Sequence, residues 1–216
     1  KTMLPANSVL RPILLLGLLA LGGCASLPDN TQRSESLHHT DTDETTLCAI
    51  FTQRAAATAE GEAGYRVLAN GRPAVVARAV LAQMAERSID SQYYMMHSDE
   101  VGTLFANQLL KAAERGVRVR VLLDDIDEGN RDFNIAVYDS HPHIEVRIFN
   151  PFARNTGRTL QYLTGFGKQT RRAHNKSFTV DNKATILGGR NIGDEYFDHD
   201  QNLAFADLDV LAIGPV

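Results

Sequence analysis

Cysteine is scarce in this chain. Cys24 and Cys48 are the two in 216 residues, and they form no Cys-x-x-Cys, so neither a disulfide framework nor a zinc site is indicated. An excess of charge is missing too. The net charge is −4, and nothing global marks a nucleic-acid binder. A run long enough to stay in a bilayer is also absent, because the apolar stretch 13–21 is too short to span one comfortably as a permanent helix. What remains is 44% hydrophobic and 22% charged, an ordinary globular composition with enough chain for one sizeable core.

The charge is unevenly spread. Residues 151–190 hold eight basic side chains (Arg154, Arg158, Lys168, Arg171, Arg172, Lys176, Lys183 and Arg190) against one acid, Asp181. Such a patch favours an anionic substrate over a merely solvated surface. Inside it lies His174-Asn-Lys176-Ser-Phe-Thr-Val-Asp181, followed by Gly188-Gly189-Arg190-Asn191. These residue types suit a phosphodiester. A neutral imidazole is a competent nucleophile near pH 7, Lys176 offers a point charge to phosphate oxygens, and Asn191 offers an amide donor. His174 and Lys176 are two apart and point the same way on a strand. Asp181 and Asn182 can turn the chain so that 183–187 returns as a second strand. Gly188 and Gly189 would then let backbone approach a ligand closely. A lone strand histidine is more often structural, but Lys176 at i+2 and Asn191 beyond a glycine pair reverse that weighting. The acids at 124, 125 and 127 read as a solvated loop rather than a magnesium site. Those at 194–200 read as surface charge, with Glu195 close enough to touch substrate. No metal and no cofactor is expected.

Taken in order, residues 1–23 read as a signal peptide, with Lys1 and Arg11 before the apolar run. Residues 21–24 resemble the lipobox of bacterial lipoproteins, which implies cleavage before Cys24 and its acylation. Ala25 then mildly favours the outer over the inner membrane of the cell envelope. Residues 24–47 are polar and read as a disordered tether, and Cys48 reads as a buried free thiol. The domain spans 48–216. Strands are expected at 65–68, 89–96, 117–123, 144–149, 174–180, 183–187 and 208–213. Helices are expected at 73–87, from a Ser98 cap to the Gly116 stop with Leu104 in the buried stripe, and at 133–140. Residues 154–172 read as a basic connection with little periodicity. The alternation predicts an α/β fold, a mainly parallel or mixed sheet flanked by helices. The chain stops just after an uncovered strand and holds no second copy of the motif, which reads as truncation after a first repeat.

The motif resembles that of the phospholipase D superfamily, the His-x-Lys-x4-Asp proteins. Ser88-Ile-Asp-Ser-Gln-Tyr-Tyr, Arg115-Gly-Val-Arg-Val-Arg-Val-Leu-Leu-Asp-Asp and Gly188-Gly-Arg-Asn-Ile-Gly-Asp-Glu-Tyr-Phe are similar to stretches of bacterial cardiolipin synthases, the C-type branch above all, over roughly residues 60–216. That resemblance implies two such halves sharing one active site, of which this chain carries the first. It implies phosphatidyl transfer through a phosphohistidine, with phosphatidylethanolamine as donor and phosphatidylglycerol as acceptor. The second imidazole would come from another half in cis or from a homodimer. Asp181 belongs to the motif by resemblance, with orientation of a histidine as its role. Nucleic acid is not the expected partner. The alternatives are a phosphodiesterase or nuclease active as a homodimer, and a non-catalytic fragment.

Overall fold

The computed structural model describes residues 27, 29–32, 34–55, 62–127, 132–200 and 202–214. The leader expected over 1–23, and Cys24 with it, lies outside them. The chain divides into two units, Glu35–Asn150 with Arg172–Val216, and Lys1–Ser34 with Pro151–Arg171. The first contains α1 (Thr46–Ala55), β1 (Gly64–Leu68), α2 (Gly71–Met84), β2 (Ser88–Tyr93), α3 (Glu100–Glu114), β3 (Arg118–Asp124), α4 (Asp132–Asp139) and β4 (Ile144–Phe149). It resumes with β5 (Lys176–Val180), β6 (Ala184–Gly188), a 3-10 turn (Asp194–Tyr196) and β7 (Asp209–Ile213). The second unit carries α5 (Arg158–Thr164) and α6 (Phe166–Gln169), where the sequence pattern predicts an irregular connection. Among the described residues no helix is long and apolar enough to cross a membrane.

The seven strands form one mixed sheet in the order β1-β7-β6-β5-β2-β3-β4. The parallel part is β2-β3-β4, the product of two helix crossovers, and every other pairing is antiparallel. The β5–β6 hairpin turns through Asp181 and Asn182, both with positive φ (50° and 52°). The loop is the three residues 181–183, closed by the Lys183 amide donating to the Val180 carbonyl at 3.0 Å, and Asp and Asn tolerate the left-handed backbone best after glycine.

α3 shows how local sequence sets an element. Asp99, not Ser98, caps it, accepting from the Gly102 amide at 2.8 Å. Glu100 sits in the first turn, and Gly116, at φ 90°, ends the helix. Val101, Phe105, Leu109 and Ala112 are buried, whereas Leu104 is exposed. Phe105 meets Tyr93 and Phe178 edge to face, with centroids 5.7 and 5.5 Å away. Full burial of Phe178 contributes about 1.5–3 kcal/mol.

The polar stretch before α1 departs from the tether expectation from Ser36 onward. The guanidinium groups of Arg118 and Arg120 donate to the carbonyls of Leu37 and Ser36 (2.7 Å each). Asn182 donates to the His39 carbonyl, Lys183 pairs with Asp43, and Thr42 and Thr45 are buried. Composition registers side chains, while this segment docks largely through its backbone. Cys48, on α1, is free and half-buried rather than buried.

At the inner end of β7, Asp209 is fully buried between two arginines. Arg78 of α2 reaches it at 3.0 Å and also donates to the Tyr93 hydroxyl at 2.9 Å. Arg190 reaches it at 3.5 Å and donates to the carbonyls of Leu68, Ala69 and Tyr196. Replacing Asp209 by Ala leaves two buried guanidinium groups facing each other, and should cost about 3–5 kcal/mol. Urea unfolding measures this, and a loss below about 1 kcal/mol would show that the arginines do not need the carboxylate.

Candidate active site at the carboxyl ends of β2 and β3

His174 and Lys176 come together as the spacing predicts. Lys176 Nζ lies 3.1 Å from His174 Nδ1 and 3.2 Å from the His174 carbonyl. Lys176 shares its strand face with the core residues Phe178 and Val180 and is 7% exposed, whereas His174 is exposed. Burial lowers the Lys176 pKa below the usual lysine range, and the Asp207 carboxylate pulls partly the other way. Tyr94 lies against both, its ring 4.5 Å from the imidazole centroid and 5.3 Å from Nζ.

The short run carrying His174 is anchored on either side. Asp124, buried at the end of β3, accepts from Arg172 Nη1 (3.0 Å) and the Ala173 amide (2.7 Å). Asn175 donates to Gln92 Oε1 at 3.1 Å. Asp124 is therefore a positioning group, and neither it nor the buried Asp125 forms the solvated loop the sequence suggests.

Asn191 is buried beside the same strand ends. Its Oδ1 accepts from the Met95 amide and its Nδ2 donates to the Tyr196 hydroxyl at 2.9 Å. Nδ2 has a second hydrogen for another acceptor. Ile192 bridges to Met96 in parallel, and its carbonyl accepts from the His97 amide. Glu195 faces His97 at 3.2 Å, with Asp127 and Asp99 at 3.6 and 3.8 Å from the same ring. His97, Asp99 and Glu195 are close enough to share a cation, but Asp99 already spends both oxygens on the amides of Gly102 and Asp194. The other acids of 194–200 also serve backbone. Asp194 accepts from Val101, and Asp198 accepts from Gly71.

Two expectations are corrected. Asp181 is fully buried at the far end of β5 and accepts three backbone amides, those of Glu86, Arg87 and Ser88, at 2.8–3.0 Å. Among the described residues its carboxylate therefore meets the approach to β2 and its first residue, and no histidine. The role read for the glycine pair also changes. A side chain at Gly188 would strike Asp209 and Leu208, and one at Gly189 would strike Asp207. The close approach these glycines permit is that of β7 and its lead-in, not of a ligand.

Asp207 is the site residue that sequence reasoning missed. It packs on Gly189 and its charge acts on Lys176. Its sequence signal is only an acid two residues before a strand, which many surface loops share.

An imidazole and a buried ammonium at the carboxyl ends of parallel strands define an anion-handling α/β site. The comparisons with known proteins agree with that class. The chain belongs to the family described as cardiolipin synthase, PLD-like domain, whose model matches residues 80–210. It is 51% identical over 156 residues to cardiolipin synthase C of Escherichia coli (strain K12), a match covering 72% of this chain and 33% of that protein. A cardiolipin synthase of Clostridium perfringens (strain 13 / Type A) is 32% identical over 120 residues, covering 55% and 23%. The chain thus spans about a third of the length of the first of these relatives. Phosphatidylserine synthase of Haemophilus influenzae Rd KW20 shares the fold with a TM-score of 0.51 at 16% identity, over 68% of this chain and 33% of its own.

The placement of Asp181 gives a direct test. Asp181→Ala strands three backbone amides, that of Ser88 buried, and should destabilise the protein by about 2–4 kcal/mol. His174→Ala, at an exposed position, should stay within about 0.5 kcal/mol of wild type. Paired urea titrations decide it, and equal stability of the two variants would return Asp181 to a purely chemical role.

Proposed function

We propose that the chain is one half of a phosphatidyltransferase of the cardiolipin synthase kind, working through a phosphohistidine. The observation that carries this is the 3.1 Å contact between Lys176 Nζ and His174 Nδ1, on a ring that is open to solvent. An ammonium can only donate, so Nδ1 accepts and the neutral ring keeps its proton on Nε2. An incoming phosphate is the stronger acceptor. It draws Nζ to its oxygens, where charge grows during displacement, and frees the ring to exchange its proton. One imidazole then forms a bond to phosphorus as the bond to the head-group oxygen breaks. A second imidazole protonates the leaving alcohol, and the acceptor alcohol reverses the sequence. The donor is phosphatidylethanolamine and the acceptor phosphatidylglycerol.

The second imidazole belongs to another His-x-Lys-x4-Asp half, in the same polypeptide or in a second copy. Exposed apolar side chains in the neighbouring β6–β7 region, Leu187, Leu203, Phe205 and Leu208, support a surface that such a half covers. Acylation at Cys24 would hold the enzyme in the cell envelope, on the outer membrane by preference, in the same two-dimensional phase as its substrates.

The chain is incubated with vesicles of phosphatidylethanolamine and phosphatidylglycerol and, separately, with DNA, after separation by size. Cardiolipin should form in species containing two motifs and be lost in His174→Ala. Degradation of DNA without any lipid product would overturn the proposal in favour of a nuclease. The pH profile tests Lys176. Its charged form is the active one and burial lowers its pKa, so activity should fall with rising pH below the ordinary lysine range. Lys176→Arg keeps its charge there, and whatever activity it retains should lack that alkaline limb.

A further inference from the structure

Within the second unit, the stretch Pro151–Arg171 has one sealed side and one unsealed side. Gln161, on the inner face of α5, accepts from the Ala153 amide and donates to the carbonyls of Ala153 and Thr156. Phe152, 2% exposed, meets the Tyr162 ring at 5.3 Å, and the Arg158 guanidinium lies 4.7 Å over it. The opposite face of the same helix presents Leu160 and Leu163, three apart and therefore adjacent. Leu163, at 78%, is the most exposed large apolar side chain among the described residues, and Leu160 is 44% exposed. Arg154, Lys168 and Arg171 are exposed in the same unit, and residues 151–171 contain no acid.

We propose that this unit seats on an anionic lipid surface, with Leu160 and Leu163 entering the headgroup boundary and the basic side chains lying over lipid phosphates. Charge complementarity selects this occupant. An apolar tip flanked by cations of one sign is the chemistry of interfacial binding, whereas a protein partner would have to supply a matching acidic rim. The surface needs no turnover, so the inference stands apart from the proposed reaction.

The chain contains no tryptophan, so Leu163→Trp makes the full-length protein its own local probe. A local readout is needed because the apolar run at 13–21 can bring the protein to any vesicle. The expected result is a blue shift and quenching by brominated lipid in vesicles containing phosphatidylglycerol, and neither in pure phosphatidylcholine. Val76→Trp on α2, where Val76 is 58% exposed, should show neither in either vesicle. In the Leu163→Trp background, each of Arg154→Gln, Lys168→Gln and Arg171→Gln should weaken the anionic-vesicle response by about five-fold. Quenching that is equal in both vesicles, or equal at positions 76 and 163, overturns the proposal. So does a blue shift that grows with protein concentration without vesicles, which would mean a second copy covers the leucines. Adding His174→Ala should change nothing, which separates failure of this inference from failure of the reaction.

Discussion

A carboxylate held between two guanidinium groups is the constraint on which this arrangement turns. Asp209 belongs to β7, Arg78 to α2, and Arg190 to the loop that carries Asn191 and Glu195. Removing an arginine from water costs several kcal/mol unless its donors are met. Here they are met by one carboxylate, by the Tyr93 hydroxyl and by carbonyls from β1, its following loop and the 3-10 turn. The donors of a guanidinium are fixed in a plane, so the cluster sets orientation as well as proximity. The Gly188–Gly189 passage follows from it, since Asp209 and Asp207 occupy the space that side chains there would need.

The reactive end of the sheet uses a related economy. Lys176 continues the inward face of Phe178 and Val180, so its ammonium is partly desolvated before any anion arrives. A cation that water solvates poorly has more to gain from an incoming phosphate, and the gain is largest where negative charge grows. The imidazole beside it is held through its neighbours, Asp124 gripping residues 172 and 173 and Gln92 gripping Asn175. Its ring stays open while the backbone beneath it is anchored.

Much of this was legible in the sequence, for identifiable reasons. Strand and helix periodicities placed the mixed sheet, because buried Val, Ile and Phe recur at spacings that only one face satisfies. Asp-Asn announced the hairpin, and a two-residue spacing put Lys176 beside His174. What escaped was chemistry carried by backbone or by distant residues. Asp181 looks like a member of a catalytic set, yet its partners are three amides some 95 residues upstream. Asp207 approaches Lys176 only because β7 inserts between β1 and β6. Residues 36–45 look like free tether because their docking groups are largely carbonyls, which every sequence has. Short helices α5 and α6 escaped because seven and four residues give too little periodicity to read.

The pairing of β1 with β7 has a consequence for the order in which the fold is assembled. The βαβ part of the sheet joins neighbours in the chain, but β1 waits for a partner that begins about 145 residues later. Closing so long a loop costs chain entropy that the local pairings do not meet. Until that pairing forms β1 lacks its one neighbour in the sheet, and its Tyr65 and Val67 stay exposed even in the finished fold. The closing of β1 onto β7 is also what brings the Leu68 and Ala69 carbonyls to Arg190. The loop bearing Asn191 therefore acquires its full set of supports only once β1 and β7 have paired.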